Sequence, residues 1–71
     1  MIIKIIGSGS AGNHIAYAFE QYAKKIYMFD LSKKELSRSK KIYISRYKKW
    51  NKNLIQSSNV SDQKLYDLVI I

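Results

Sequence analysis

Residues 2–12, Ile2-Ile3-Lys4-Ile5-Ile6-Gly7-Ser8-Gly9-Ser10-Ala11-Gly12, join a β-branched run directly to a glycine-spaced turn. Isoleucine is stiff at χ1 and packs well on a pleated surface, so Ile2–Ile6 predicts a strand, buried on both faces in a parallel sheet. Gly7 ends it. Beyond Gly12, Ile15, Ala16, Phe19 and Ala23 recur at spacings that place them on one helical face. The segment therefore reads as strand, glycine turn and amphipathic helix. Lys24 and Lys25 are expected in that helix's last turn, where cations suit the negative end of the macrodipole.

Residues 26–29 form a second apolar run, closed by Asp30. Ser32 is placed as an N-cap, with Glu35 three positions on completing a capping box. Leu36, Tyr43, Tyr47 and Trp50 then mark one face of a long helix that frays near Asn51. Residues 54–56 read as a brief third strand, 57–59 as a turn, and Ser61-Asp62 as the cap of a single helical turn. Residues 68–71 are a last β-branched run. This order of elements predicts an α/β chain, the first part of a doubly wound parallel sheet with about four strands. An apolar strand at the chain's end leaves a sheet face and edge uncovered, so 1–71 is expected to be one incomplete domain without an internal boundary.

With 71 residues and no cysteine, the chain can build only one small core, and no disulfide can staple it. Thiolate nucleophiles and cysteine-type zinc sites are excluded, and the single histidine, His14, cannot make a two-histidine metal site. No metal site is expected. The 46% hydrophobic content argues against wholesale disorder. The formal charge is +8, and eleven of thirteen basic residues fall between Lys24 and Lys52. Such a patch permits a nucleic-acid partner. The abundance of Ile, Lys, Ser and Tyr without proline fits an AT-rich coding bias better. Tyr43, Tyr47 and Trp50 read as a core-facing stripe, not a base-stacking surface, and nucleic acid is not expected as a partner. No apolar run approaches the roughly 18 residues needed to span a bilayer, and a cytoplasmic location is expected.

The chemistry lies in the glycines. Gly7, Gly9 and Gly12 form a Gly-x-Gly-x-x-Gly pattern between a strand and a helix, and an acidic residue, Asp30, closes the next strand. Gly7 allows the tight turn. Gly9 lacks the Cβ that would keep a pyrophosphate from the backbone, and Gly12 lets the helix lie close on the sheet. The free amides of Ser10, Ala11 and Gly12, at the positive end of the helix dipole, can hold a diphosphate without a basic side chain. Asp30 is placed to accept both adenosine ribose hydroxyls and to repel a 2′-phosphate, which favours NAD over NADP, although Lys33 and Lys34 soften that repulsion. A Walker A loop is excluded, because Asn13 and His14 follow Gly12 where that loop needs Lys and Ser or Thr. Methyltransferases and flavoproteins share the glycine turn and the strand-end acid, and they stay open. His14 reads as a surface position.

The opening Ile-Ile-Gly-Ser-Gly-Ser-Ala-Gly-Asn-His, Phe29-Asp30 and Tyr66-Asp67-Leu68-Val69-Ile70-Ile71 resemble the N-terminal Rossmann domain of Gfo/Idh/MocA oxidoreductases. The likeness covers essentially the whole chain, and the segment Ile42-Tyr43, Arg46-Tyr47 and Trp50 resembles a subset of that family. The resemblance implies NAD(P)-dependent hydride transfer on a sugar, cyclitol or related polyol, in a homo-oligomeric full-length protein. It also departs from the family: a second acid is common two positions past the first, where Ser32 stands here. The family's Glu-Lys-Pro motif and its later Asp and His match nothing in this sequence, so no residue is assigned a catalytic role and the segment alone is not expected to turn over substrate. The rival readings are a small basic nucleic-acid-binding module and a nonenzymatic dinucleotide sensor.

Overall fold

The computed structural model describes residues 1–7, 9–59 and 65–71. Their elements run β1 (Ile2–Ile6), α1 (Ser10–Phe19), β2 (Lys25–Phe29), α2 (Lys33–Tyr47), β3 (Leu54–Ser57) and β4 (Leu68–Ile70). All strand pairings are parallel, in the order β3-β2-β1-β4. The described residues thus form an α/β unit with two helices and a four-stranded parallel sheet. The helical turn expected at Ser61-Asp62 lies outside the described residues.

Register explains the core. Ile3 pairs with Ile26 and Leu68, Ile5 with Met28 and Ile70, and Ile26 with Leu54, so these side chains share one face of the sheet. Ala16 of α1 and Tyr43 of α2 pack on that face, and both are fully buried. Ile15, Phe19, Tyr47 and Trp50 close its margin. The opposite face differs. Ile2, Lys4 and Ile6 are only half-buried, which corrects the expectation of a strand covered on both sides. Two helices that both pack on the first face leave the second to other groups. There the Lys4 ammonium lies over the rings of Phe29 and Tyr66, at 4.8 and 5.2 Å.

The first helix is shorter than its apolar spacing predicts. It ends at Phe19, so Lys24 precedes β2 and Lys25 begins it, and neither sits in a helical turn. Ala23 is still buried, but in the connecting turn. The reason is a contact from far along the chain. The Asn53 side-chain amide donates to the carbonyls of Glu20 and Ala23, at 2.8 and 3.1 Å, and so caps the helix exit.

Glu20, just past that exit, is buried and ties the helices together. Its Oε2 accepts from the Tyr43 hydroxyl at 2.7 Å, and its Oε1 meets the Lys49 ammonium at 2.7 Å. Burial pushes the carboxyl up, but these hydrogen bonds and the Lys49 charge outweigh it and hold Glu20 below its ordinary range. Tyr43 is pushed well above the usual phenol range by burial and by the Glu20 hydrogen bond.

The second helix begins as its sequence predicts and ends sooner. Ser32 Oγ accepts the Glu35 amide at 3.2 Å. The reciprocal half of the capping box is absent, because Asp30 Oδ1 takes the Ser32 amide and Glu35 turns to Arg38. At the other end Lys48 adopts a left-handed conformation, φ 66°, and stops the helix there, short of Asn51. Trp50 therefore reaches the core from the following loop, its ring 5.1 Å from that of Tyr43.

Candidate functional site

The sheet reverses direction at β1. From β1 the chain steps outward through β2 to β3, and β4 then returns to the other side of β1. In open parallel sheets such a reversal separates the loops at the strands' carboxyl ends and leaves a crevice. One is present here: a cleft of about 170 Å³ lined by Gly7, Gly9, Ala11 and Gly12 on one side and Ile70 and Ile71 on the other.

Each glycine has its own local geometry. Gly7 has φ 103°, a conformation costly for residues with a Cβ, and this turns the chain out of β1. A Cβ on Gly12 would lie 2.8 Å from the Gly7 carbonyl oxygen and 3.5 Å from Ile5 Cγ2, so only glycine lets α1 approach the end of β1 this closely. A Cβ on Gly9 would meet nothing within 4 Å, which leaves the space over its backbone open.

Among the described residues no side chain caps the start of helix α1. Gly9 occupies the N-cap, no side chain accepts a hydrogen bond there, and the first turn holds no acidic residue. Glycine is a tolerable N-cap, so the missing capping side chain forgoes only about a few tenths of a kcal/mol. The first bond of the helix runs from the Asn13 amide to the Gly9 carbonyl at 3.1 Å. The amides of Ser10, Ala11 and Gly12 thus precede the intrahelical ladder, at the positive end of the dipole, with no acidic residue in the helix's own first turn. Such a start suits an anion.

Asp30 stands at the same end of the sheet, outside the crevice lining. The Gly7 amide donates to the Phe29 carbonyl at 2.8 Å, so the glycine turn and the residue before Asp30 are joined. Asp30 Oδ1 accepts the Ser32 amide at 2.9 Å, which orients the carboxylate at the mouth of α2. Ser10 opens α1 and is exposed beside the cleft rather than lining it. Ser8 lies outside the described residues. His14 is exposed on α1.

Three residues at the site, Ile70, Ile71 and Asn13, lie beyond the sequence reading. Ile70 and Ile71 reach the cleft only because β4 pairs with β1, a long-range event with no local signal. Asn13 is buried in the first turn of α1, where its Nδ2 donates to the Ser39 carbonyl at 3.1 Å and its Oδ1 accepts from the Ser39 hydroxyl at 2.9 Å. A polar residue three positions before the core residue Ala16 was its available signal.

Among the described residues no group of three or more His, Cys, Asp or Glu could hold a metal ion, and no helix is long and apolar enough to cross a membrane. Compared with known proteins, the chain matches no family model, no curated protein and no solved structure at a significant level.

Proposed function

We propose that this chain is the NAD-binding portion of an oxidoreductase, a Rossmann-type half sheet like that of Gfo/Idh/MocA enzymes. The parent activity in this reading is hydride transfer between a nicotinamide cofactor and a sugar, cyclitol or related polyol. The observation that carries the reading is an uncapped helix start and a glycine turn opening together on the crevice where the strand order reverses.

The residues present fit a dinucleotide's diphosphate. The backbone over Gly9 is open, and the first-turn amides of α1 carry no competing acid. Ser10, Ala11 and Gly12 would hold the diphosphate through those amides. Asp30 would accept the ribose hydroxyls, since a carboxylate has several acceptor sites and can serve Ser32 and a ribose together. When bound, the nicotinamide supplies the hydride. The chain's own part is to bind and orient.

Calorimetry tests this. The wild-type chain is expected to bind NAD in oxidised or reduced form, and Gly9→Val to lose that binding while keeping its fold, because a Cβ at Gly9 meets no protein atom within 4 Å. Absence of heat with both coenzyme forms would overturn the reading.

A further inference from the structure

We infer that the buried Asn13–Ser39 pair is a positioning device, through which α2 fixes the first turn of α1 and so aims the amides of Ser10, Ala11 and Gly12 into the crevice. The inference rests on the diphosphate reading above. A helix start that keeps its amides for a ligand cannot use them to anchor itself, and α1 has no capping side chain at Gly9. Its end near Phe19 is secured by Asn53, and its start needs a comparable tie. Asn13 supplies one. It follows Gly12 directly and bonds in both directions to one residue of α2, with Nδ2 on the Ser39 carbonyl and Oδ1 on the Ser39 hydroxyl.

Both residues are buried, at 2% and 4% exposure, so the two bonds are shielded from water and define one arrangement of the helices. Gly12 prevents steric clash with Gly7 but provides no directional contact. The Asn13–Ser39 pair provides that direction. It touches no ligand and acts only through the amides beside it.

The test compares NAD, ADP and adenosine on the wild type, Asn13→Leu, Ser39→Ala and Ile26→Val. Ile26→Val trims the core without touching either residue of the pair. Asn13→Leu and Ser39→Ala are expected to bind NAD and ADP about tenfold more weakly, with adenosine, which lacks the diphosphate, unchanged. Ser39→Ala keeps the carbonyl that Asn13 also uses, so it reports on the pair even if Asn13→Leu fails to fold. Equal weakening of all three ligands, or a pattern matched by Ile26→Val, would overturn the inference while leaving the diphosphate reading intact. Failure of the wild type to bind NAD and ADP would overturn both.

Discussion

A side chain at position 12 would begin 2.8 Å from the carbonyl oxygen of Gly7, well inside ordinary contact distance. The obstacle is backbone, which cannot swing aside as a flexible side chain can. Gly12→Ala should therefore push α1 off the end of β1 and destabilise the fold by about 1–3 kcal/mol, as overpacking does. Gly9→Ala meets no atom within 4 Å and should cost less, about 0.5–1 kcal/mol from the poorer N-cap alone, read as a smaller drop in the urea-unfolding midpoint. Equal losses from the two substitutions would contradict the geometry.

Glu20 should make stability pH-dependent. Its carboxyl is held below the unfolded value of 4.5, so its contribution is fully present above that pH and is lost as pH falls through the lower folded value. Glu20→Gln should cost about 1.5–3 kcal/mol near neutrality, the range for hydrogen bonds to charged groups. The gap between wild type and variant should narrow as pH falls below 4.5, followed by urea denaturation.

Lys48 pays a backbone cost to end α2, with φ at 66°. Its amide donates to the Ile44 carbonyl at 2.8 Å, a bond glycine would keep. Lys48→Gly should raise stability by about 1 kcal/mol, seen as a higher unfolding midpoint.

Asp30→Asn separates the observed contact of this side chain from its proposed one. Asparagine can still accept the Ser32 amide and so preserve the entry to α2, but it carries no charge. The proposed coenzyme reading predicts NAD affinity lowered about tenfold and NADP affinity unchanged or improved, measured by calorimetry. An unaltered ratio of the two affinities would remove Asp30 from ribose recognition.

The chain's local signals were clear where neighbours in sequence are also neighbours in space. The isoleucines of β1, the strand ending at Phe29 and the Ser32 cap could all be read from short windows, because each depends on side-chain packing or hydrogen bonding a few residues away. Ile15, Ala16, Phe19 and Ala23 suggested a helix running past its true end, since the Asn53 amide that closes it comes from about thirty residues downstream. Trp50 kept its place against Tyr43 although the helix had already stopped. The glycine turn was legible as a turn. The isoleucines facing it across the cleft were not, since nothing near Ile70 announces that β4 will pair with β1.

That pairing joins residues far apart in time as well as in sequence. The Ile2 amide donates to Asp67 Oδ2 at 2.6 Å, and the Asp67 amide to the Ile2 carbonyl at 2.8 Å. On a ribosome, β1 must therefore wait with that flank open until the segment 65 residues downstream of Ile2 has been made. Contacts of such separation close slowly. The glycine turn and the isoleucines across from it consequently meet only once β4 has docked, and the crevice does not exist before then.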